Sequence, residues 1–144
     1  MRRMREEDLD HVLSIEEASF RSPWSRKYFE TELEKDFGYC VVAVAEKKVV
    51  GYLIAWFVSD KIHVANIAVH PDWRNLGVGE MLIRKVMLDG EGFSWVGLEV
   101  RSSNKAARAL YKKLGFRDVG IRKDYYVQER EDAVLMLKRL PPEA

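Results

Sequence analysis

The amino-acid sequence predicts an α/β domain built on a mixed β-sheet. The spacing of apolar residues changes from a helical period before Phe37 to β-branched apolar runs after Tyr39. Three such runs, separated by short charged turns, favour antiparallel strands. A glycine-rich segment then leads into a helix and a further strand, which is typical of a right-handed parallel crossover. We therefore expect a mostly antiparallel central sheet of about six to seven strands, flanked by about four helices.

Two helices are predicted ahead of the sheet. In residues 5–20, apolar side chains recur on one face at helical spacing, and acidic side chains fill the first turn. The segment Ser22-Pro23-Trp24-Ser25 interrupts this pattern. Ser25 is suited to cap a second helix that runs to about Phe37.

A three-stranded meander is predicted next. Apolar, β-branched runs occupy residues 39–45, 49–59 and 62–69, and charged turns at residues 46–48 and 60–61 separate them. The remaining elements alternate between the two periods, and Gly115 stands where a helix C-terminus favours glycine. They are a helix at 77–88, a strand at 93–100, a helix at 104–114, and strands at 116–121 and 133–140.

Composition limits the classes of function. With 144 residues and no linker-like tract, we expect one domain spanning residues 1–144. The 24 basic and 23 acidic residues give a net charge of +1, which argues against a nucleic-acid or anionic-membrane surface. The single Cys40 excludes an intramolecular disulfide and a Cys-rich zinc site. With no long apolar run and no signal-peptide pattern, we expect a cytoplasmic protein. We also expect a monomer or weak dimer.

One glycine-rich segment is suited to hold an anion. In Trp73–Glu80, Gly77 and Gly79 permit a tight turn before a helix start, and Arg74 adds a positive charge. An ordinary glycine-rich connection is the alternative. No Gly-Lys-Ser/Thr follows, so a P-loop is excluded, and a dinucleotide fingerprint is disfavoured because Leu82 replaces its third glycine.

A second segment carries candidate catalytic groups. Glu99 lies near the carboxyl end of a predicted strand, where open α/β sheets place ligands. In the following helix, Asn104 and Tyr111 lie about 20° apart at the margin of the apolar face. By themselves these positions also fit a solvent-facing strand residue and a packing tyrosine.

The motif Arg-x-x-Gly-x-Gly, which follows Asn66–Pro71, resembles motif A of the GNAT N-acetyltransferase family. This resemblance implies a GNAT fold and acetyl-CoA as co-substrate. It also implies that the loop amides hold the pyrophosphate and that the preceding strand contacts the pantetheine arm. Glu80 then places a carboxylate near the phosphates. The implied cofactor-binding residues are Ile67, Ala68, Val69, Arg74, Asn75, Leu76, Gly77, Val78, Gly79, Glu80 and Asn104.

Four further segments resemble one bacterial subgroup, the ribosomal-protein-alanine N-acetyltransferases (RimI type). They are Glu99–Asn104 with Tyr111 and Leu114–Phe116, Ser22–Ser25, Tyr125-Tyr126, and Arg130–Ala133. The resemblance implies that Glu99 is the proton acceptor and Tyr111 the proton donor. The implied reaction is direct acetyl transfer, in a ternary complex, to the N-terminal amine of ribosomal protein S18. Broader N-terminal, lysine or small-amine acceptors remain alternatives, as do a non-catalytic acyl-CoA-binding module and a nucleotide-binding regulator.

Several residues are candidates for the acceptor side of the site. Glu16 interrupts the apolar stripe of the first helix, and Trp24 could form an apolar wall or merely join two helices. Predicted substrate-binding residues are Glu16, Trp24, Tyr125, Tyr126 and Glu131. His63 and His70 have no clustered third ligand, so we interpret them as surface or turn residues and predict no metal site. Cys40 is interpreted as a small core residue.

Overall fold

The computed structural model describes residues 1–126 and 131–141 and contains one seven-stranded sheet with strand order β1-β2-β3-β4-β5-β7-β6. The strands are β1 (Arg2–Arg3), β2 (Gly38–Ala45), β3 (Lys48–Val58), β4 (Lys61–Val69), β5 (Trp95–Arg101), β6 (Arg117–Tyr126) and β7 (Glu131–Arg139). The helices are α1 (Leu9–Ser19), α2 (Arg26–Glu34), α3 (Val78–Asp89) and α4 (Lys105–Lys113). The predicted fold class is confirmed: β4 and β5 are parallel, and the other neighbouring pairs are antiparallel.

The N-terminal elements differ from the prediction in three ways. The helix predicted over residues 5–20 is a 3₁₀ turn at Glu6–Asp8 followed by α1. Arg2–Arg3 forms an extra strand against β2, and the Arg2 guanidinium holds the Asp8 carboxylate through two 2.7 Å hydrogen bonds. A strand of two residues carries no periodicity, so only this tertiary contact defines it. The second helix ends at Glu34 instead of about Phe37. The Gly38 amide donates to the Lys35 carbonyl, and the turn that this hydrogen bond closes leads into β2. The predicted cap is confirmed, since Ser25 Oγ accepts from the Tyr28 amide.

Two apolar layers cover the sheet. Helices α1 and α2 pack on one face, where Phe29 meets Tyr52 edge-on at 5.8 Å. Helices α3 and α4 contribute Leu82, Ile83 and Tyr111 to the cluster on the other face. Gly115 ends α4 with a φ of +99°, the left-handed conformation predicted for a glycine after a helix.

A bulge in β4 changes which residues face α1 and α2. The β3–β4 register shifts between Ile54 and Ala55, which leaves Ala65 as an extra residue in β4. Before the bulge, Val64 belongs to the α3–α4 cluster; after it, Asn66 contacts α1. His63 and Asn66 can therefore line one cavity although they are three residues apart.

The sheet opens between β4 and β5. These strands pair in parallel from Lys61–Trp95 to Val64–Leu98. Beyond that point β4 stays paired with β3 as far as Val69, and β5 stays paired with β7 as far as Arg101. Within the described residues, the facing edges of β4 and β5 are thus unpaired at their carboxyl ends. Backbone N–H and C=O groups along this gap are available to a ligand.

Candidate active site

A cavity of about 590 Å³ lies on the α1–α2 face beside the gap between β4 and β5. Titratable side chains from the two strands that flank the gap converge there, Glu99 and Arg101 from β5 and His63 from β4. Its other lining residues are Glu16, Phe20, Ser22, Trp24, Tyr28, Trp56, Ala65, Asn66, Arg122 and Tyr125. The structure therefore brings four sequence-predicted site residues together: Glu99, Glu16, Trp24 and Tyr125.

The Glu99 carboxylate is held by two basic residues. Its Oε2 lies 2.7 Å from His63 Nε2, and its Oε1 lies 3.9 Å from Arg122 Nη1. Burial disfavours the ionised form, but the hydrogen bond and charge of His63, with the charge of Arg122, outweigh it and hold the pKa of Glu99 below its usual range. With 15% of its side chain exposed, Glu99 remains accessible from the cavity. It can accept a proton there.

Glu16 joins three elements beneath the cavity. Its Oε1 accepts from the Tyr52 hydroxyl and, at 2.7 Å, from Asn66 Nδ2; its Oε2 accepts from the Trp24 amide at 2.9 Å. The residue is 1% exposed. Burial and the neighbouring Glu16 raise the pKa of Tyr52, so this hydroxyl stays a donor. Glu16 lines the cavity, but its oxygens anchor the segment that carries Trp24.

The glycine-rich segment forms the start of α3. Gly77 has a φ of +87°, and Asn75 before it is also left-handed, with a φ of +64°. The first amide to bond back along the helix is that of Met81, which donates to the Gly77 carbonyl at 3.0 Å. The amides of residues 78–80 precede this bond, and a helix start leaves such amides without a helical partner. That they form the cradle for an anion stays a prediction.

Arg74 connects this cradle to α1. Its Nε donates to the Val69 carbonyl at 3.1 Å, and its Nη2 donates to Ser19 Oγ at 3.0 Å. Val69 is the last residue of β4, at the mouth of the gap. The guanidinium thus fixes the end of the predicted cofactor strand against the helix that carries Glu16.

The charge of Glu80 is matched by two cations. Its Oε2 accepts from Arg84 Nε at 3.0 Å, and its Oε1 accepts from Lys113 Nζ at 2.9 Å. These hydrogen bonds lower the pKa of Glu80. The expected effect of a lone carboxylate near phosphate is therefore reduced, because Glu80 comes with a cation from its own helix and one from α4.

Gly79 marks a space that fits a narrow ligand. A Cβ built there would lie 3.8 Å from Leu110 Cδ2 and 3.9 Å from Val69 Cγ2, which is ordinary contact. This position therefore faces the interval between the end of β4 and α4. The cradle and the open edge of β4 fit the diphosphate and extended arm of acetyl-CoA.

Replacing Gly79 with alanine tests this space. We expect Gly79→Ala to fold with unchanged or slightly raised stability. A glycine within a helix lowers the free energy of unfolding by about 0.5–1 kcal/mol relative to alanine. We expect the KM for acetyl-CoA to rise roughly tenfold, because the added methyl group narrows the slot. Thermal unfolding and acetyl-CoA saturation curves measure the two effects separately. An unchanged KM would place the acyl-CoA arm elsewhere.

Helix α4 carries the remaining predicted cofactor residue and the predicted proton donor. Asn104 Oδ1 accepts from the Ala107 amide at 3.2 Å and caps the helix. Tyr111 is 6% exposed and packs 5.8 Å from the Phe116 ring, within the cluster on the α3–α4 face. It does not line the cavity around Glu99, and its role as proton donor stays a prediction.

One acceptor-side prediction has other surroundings. Glu131 Oε1 accepts from the Ser103 amide at 2.7 Å, and its Oε2 lies 3.8 Å from Arg101 Nη1. Glu131 therefore fixes the loop after β5 rather than lining the cavity. The Tyr126 side chain and Arg130 lie outside the described residues.

Among the lining residues that the sequence did not predict are His63, Trp56 and Arg122. His63, interpreted as a surface or turn residue, instead contacts Glu99. The predicted parallel crossover already placed the strands of His63 and Glu99 side by side. What the sequence did not give was their register, which pairs His63 with Gly97. Trp56 faces His63 across the β3–β4 ladder, and the rings lie 5.2 Å apart.

Two findings concern other kinds of site. Within residues 1–126 and 131–141, no group of three His, Cys, Asp or Glu side chains is arranged to bind a metal ion. Over the same residues, no helix combines the length and apolar character needed to cross a bilayer.

The fold, the cradle and the cavity with its carboxylate define an acyl-CoA-dependent transferase. The sequence profile of the acetyltransferase (GNAT) family matches residues 9–116, and the chain belongs to this family. It is an acetyl-CoA-dependent N-acetyltransferase, so the predicted family, enzyme class and co-substrate are confirmed.

Similar proteins share a more specific name. The [ribosomal protein bS18]-alanine N-acetyltransferase of Salmonella typhimurium is 37% identical over 134 residues, 90% of this chain and 89% of that protein. A Bacillus subtilis relative, whose name gives the same activity provisionally, is 40% identical over 139 residues, 94% of this chain and 92% of its own. The crystal structure of the Escherichia coli ribosomal-protein-S18-alanine N-acetyltransferase matches with a TM-score of 0.90 and 32% identity, covering 99% of this chain and 94% of that one.

Proposed function

We propose that this chain, acting as one domain over residues 1–144, acetylates the N-terminal α-amine of ribosomal protein bS18 in the cytoplasm. The names of its relatives support the acceptor. The observation that carries the chemistry is the Glu99 carboxylate, bonded to His63 in a cavity beside the gap between β4 and β5. We expect the chain to act as a monomer or weak dimer, without nucleic acid or a membrane.

The proposed proton transfers match the residue types. Bound acetyl-CoA supplies the acetyl thioester. Glu99 accepts the proton of the attacking amine, whose pKa of about 7.7–8.0 lies within reach of a carboxylate at neutral pH. Tyr111 is proposed to return a proton to the departing thiolate, whose pKa is about 8.5. No nucleophilic side chain is needed, because holding the amine against the thioester supplies much of the rate.

The aromatic side of the cavity suits a polypeptide acceptor. The centroid of the Trp24 ring lies 4.4 Å from that of Tyr28 and 5.3 Å from that of Phe29. Trp24 therefore forms an aromatic wall of the cavity and also packs the segment between α1 and α2 against α2. Arg122 and Tyr125 line the same cavity, and the Arg122 guanidinium lies 4.8 Å from the centroid of the Tyr125 ring. We propose that the first acceptor residue enters between these walls.

Mass spectrometry of an acceptor peptide tests this function. The purified chain is incubated with acetyl-CoA and a hexapeptide beginning with the bS18 N-terminal alanine; the control is an N-terminally blocked peptide with an internal lysine. We expect one added acetyl group on the free α-amine and none on the control. Acetylation of the control would favour lysine acceptors, and acetyl-CoA binding without any product would contradict the proposed acceptor.

A further inference from the structure

A second cavity adjoins the one around Glu99. It measures about 560 Å³ and lies at the turn between β3 and β4. Its lining residues are Trp56, Val58, Ser59, Asp60, Lys61 and His63. Trp56 and His63 also line the first cavity, so the pair stands on the boundary between the two. We call the second cavity the hairpin cavity.

A buried carboxylate outside both cavities fixes Trp56. Glu32 of α2 is 1% exposed, and its Oε2 accepts from Trp56 Nε1 at 2.8 Å. Its Oε1 accepts from Lys35 Nζ at 2.8 Å, and the same ammonium lies 5.0 Å from the centroid of the Trp56 ring. Because the indole is bound at its nitrogen and covered on one face, its orientation is set before any ligand arrives.

The two ends of β4 lie at different distances from His63, the one toward the cofactor and the other toward the hairpin cavity. Val69, at one end of β4, adjoins the acetyl-CoA cradle, six residues or about 20 Å from His63. Lys61, at the other end, lines the hairpin cavity and lies only about 7 Å from His63. An acceptor whose amine reaches Glu99 must run away from the cofactor. An extended chain advances about 3.3–3.6 Å per residue, so its second to fourth residues can pass Trp56.

We propose that the hairpin cavity is a second acceptor subsite, that Trp56 determines selectivity for acceptors longer than one residue, and that Glu32 is its positioning residue. This inference rests on the proposed function, since it requires a polypeptide acceptor. The subsite takes the backbone and apolar side chains that follow the acetylated residue. The Trp56 ring and Val58 supply its apolar surface, and the polar residues of the turn, Ser59–Lys61, line the rest beside His63.

Comparison of a long and a short acceptor tests the subsite. The acceptors are the bS18 hexapeptide and alaninamide, which share the first residue. With Trp56→Ala, we expect the KM for the hexapeptide to rise roughly tenfold, as for loss of an aromatic anchor. The KM values for alaninamide and for acetyl-CoA should change less than about twofold, because alaninamide ends at its first residue beside Glu99 and acetyl-CoA lies toward the Val69 end of β4.

Variants of Glu32 test the positioning role. Glu32→Leu removes the acceptor of the indole N–H, whereas Glu32→Gln retains an oxygen that can accept it. We therefore expect Glu32→Leu to raise the hexapeptide KM and Glu32→Gln to restore most of the loss. Phe57→Leu is the matched control. It lies next to Trp56 in β3, but its ring packs at 5.0 Å against both Tyr39 and Phe93 on the opposite face. We expect it to lower thermal stability and leave the ratio of the two KM values unchanged.

Calorimetric binding of the N-acetylated hexapeptide and of N-acetylalaninamide completes the test and does not depend on turnover. Tighter binding of the hexapeptide by the wild type, lost in Trp56→Ala, supports the subsite even if no peptide is acetylated. A lack of acetylation would contradict only the proposed function. Equal losses for long and short ligands in Trp56→Ala, or no loss for either, would overturn the subsite. A Glu32→Leu variant with wild-type hexapeptide KM would overturn the positioning role.

Discussion

Glu99→Gln is expected to lower kcat by about 10²- to 10³-fold, with little change in the KM for acetyl-CoA. The amide cannot accept the amine proton, and positioned general bases contribute about 10²–10⁴-fold to rate. The loss should be confined to chemistry, because the proposed cradle for acetyl-CoA lies at the start of α3, away from Glu99. Steady-state kinetics with the bS18 hexapeptide measure it.

The pH profile should change in a defined direction. His63 and Arg122 hold the pKa of Glu99 below its usual range, which favours the ionised carboxylate at neutral pH. Glu99 can then take the proton of the bound ammonium, so the acidic limb of kcat/KM in the wild type should lie below the pKa of the acceptor amine, which is about 8. In Glu99→Gln, the amine must lose its proton to solvent before attack, so the residual activity should shift to higher pH.

The same lowered pKa contributes to stability with a known sign. A carboxylate whose pKa is lower in the folded state stabilises the fold above its unfolded pKa, and this contribution is lost as pH falls through the folded value. Acid unfolding of Glu99→Gln should therefore depend less on pH below about 4.3 than that of the wild type.

Glu91→Gln is the matched control for Glu99→Gln. Glu91 is an exposed carboxylate in the turn before β5, so the control makes the same chemical change outside the site. We expect wild-type kinetics from it. Wild-type turnover from Glu99→Gln would contradict the assignment of Glu99 as proton acceptor.

The sequence predicts the strand and helix order because each main element has its own hydrophobic periodicity and is bounded by cap or turn residues. Ser25, Gly77 and Gly115 act through local backbone geometry, and the structure places each where that geometry is needed. The cradle is predictable for the same reason, since it is one continuous segment. Element ends such as that of α2 depend instead on contacts with β2.

The cavity is less predictable because it depends on register. Alternation along an ideal strand would put His63 and Asn66 on opposite faces, and only the bulge at Ala65 reconciles them. Trp56 faces His63 through pairing across a hairpin, and Glu32 reaches Trp56 from α2. None of these contacts is encoded by spacing within one segment.

The sequence pattern predicts that Glu16 has a special role, because its carboxylate lies within an apolar stripe, but does not identify its hydrogen-bond partners. They come from three other places in the chain, Trp24, Tyr52 and Asn66, up to 50 residues away. The polar groups around Glu16 therefore had to be found in the tertiary structure.

Glu16→Ala is expected to lower the free energy of unfolding by about 3–5 kcal/mol. The substitution leaves three donors without their acceptor, on Tyr52, Asn66 and Trp24, and an unsatisfied buried group costs about 1–3 kcal/mol. The costs are not fully additive, since the freed donors share one cavity that water can enter. Urea unfolding at pH 7 measures the loss.

Glu16→Gln separates the hydrogen bonds from the volume of the side chain. Its oxygen can replace only one carboxylate oxygen, so its NH₂ group must face either the Trp24 amide or the donors of Tyr52 and Asn66. We expect a smaller loss of about 1–3 kcal/mol, together with a higher KM for the hexapeptide because the Trp24 segment loses its anchor. Glu17→Ala, an exposed neighbour on α1, should stay within about 0.5 kcal/mol of wild type. If Glu16→Gln were as stable as wild type, the carboxylate would not be the shared acceptor of these donors, and the position of Trp24 would need another cause.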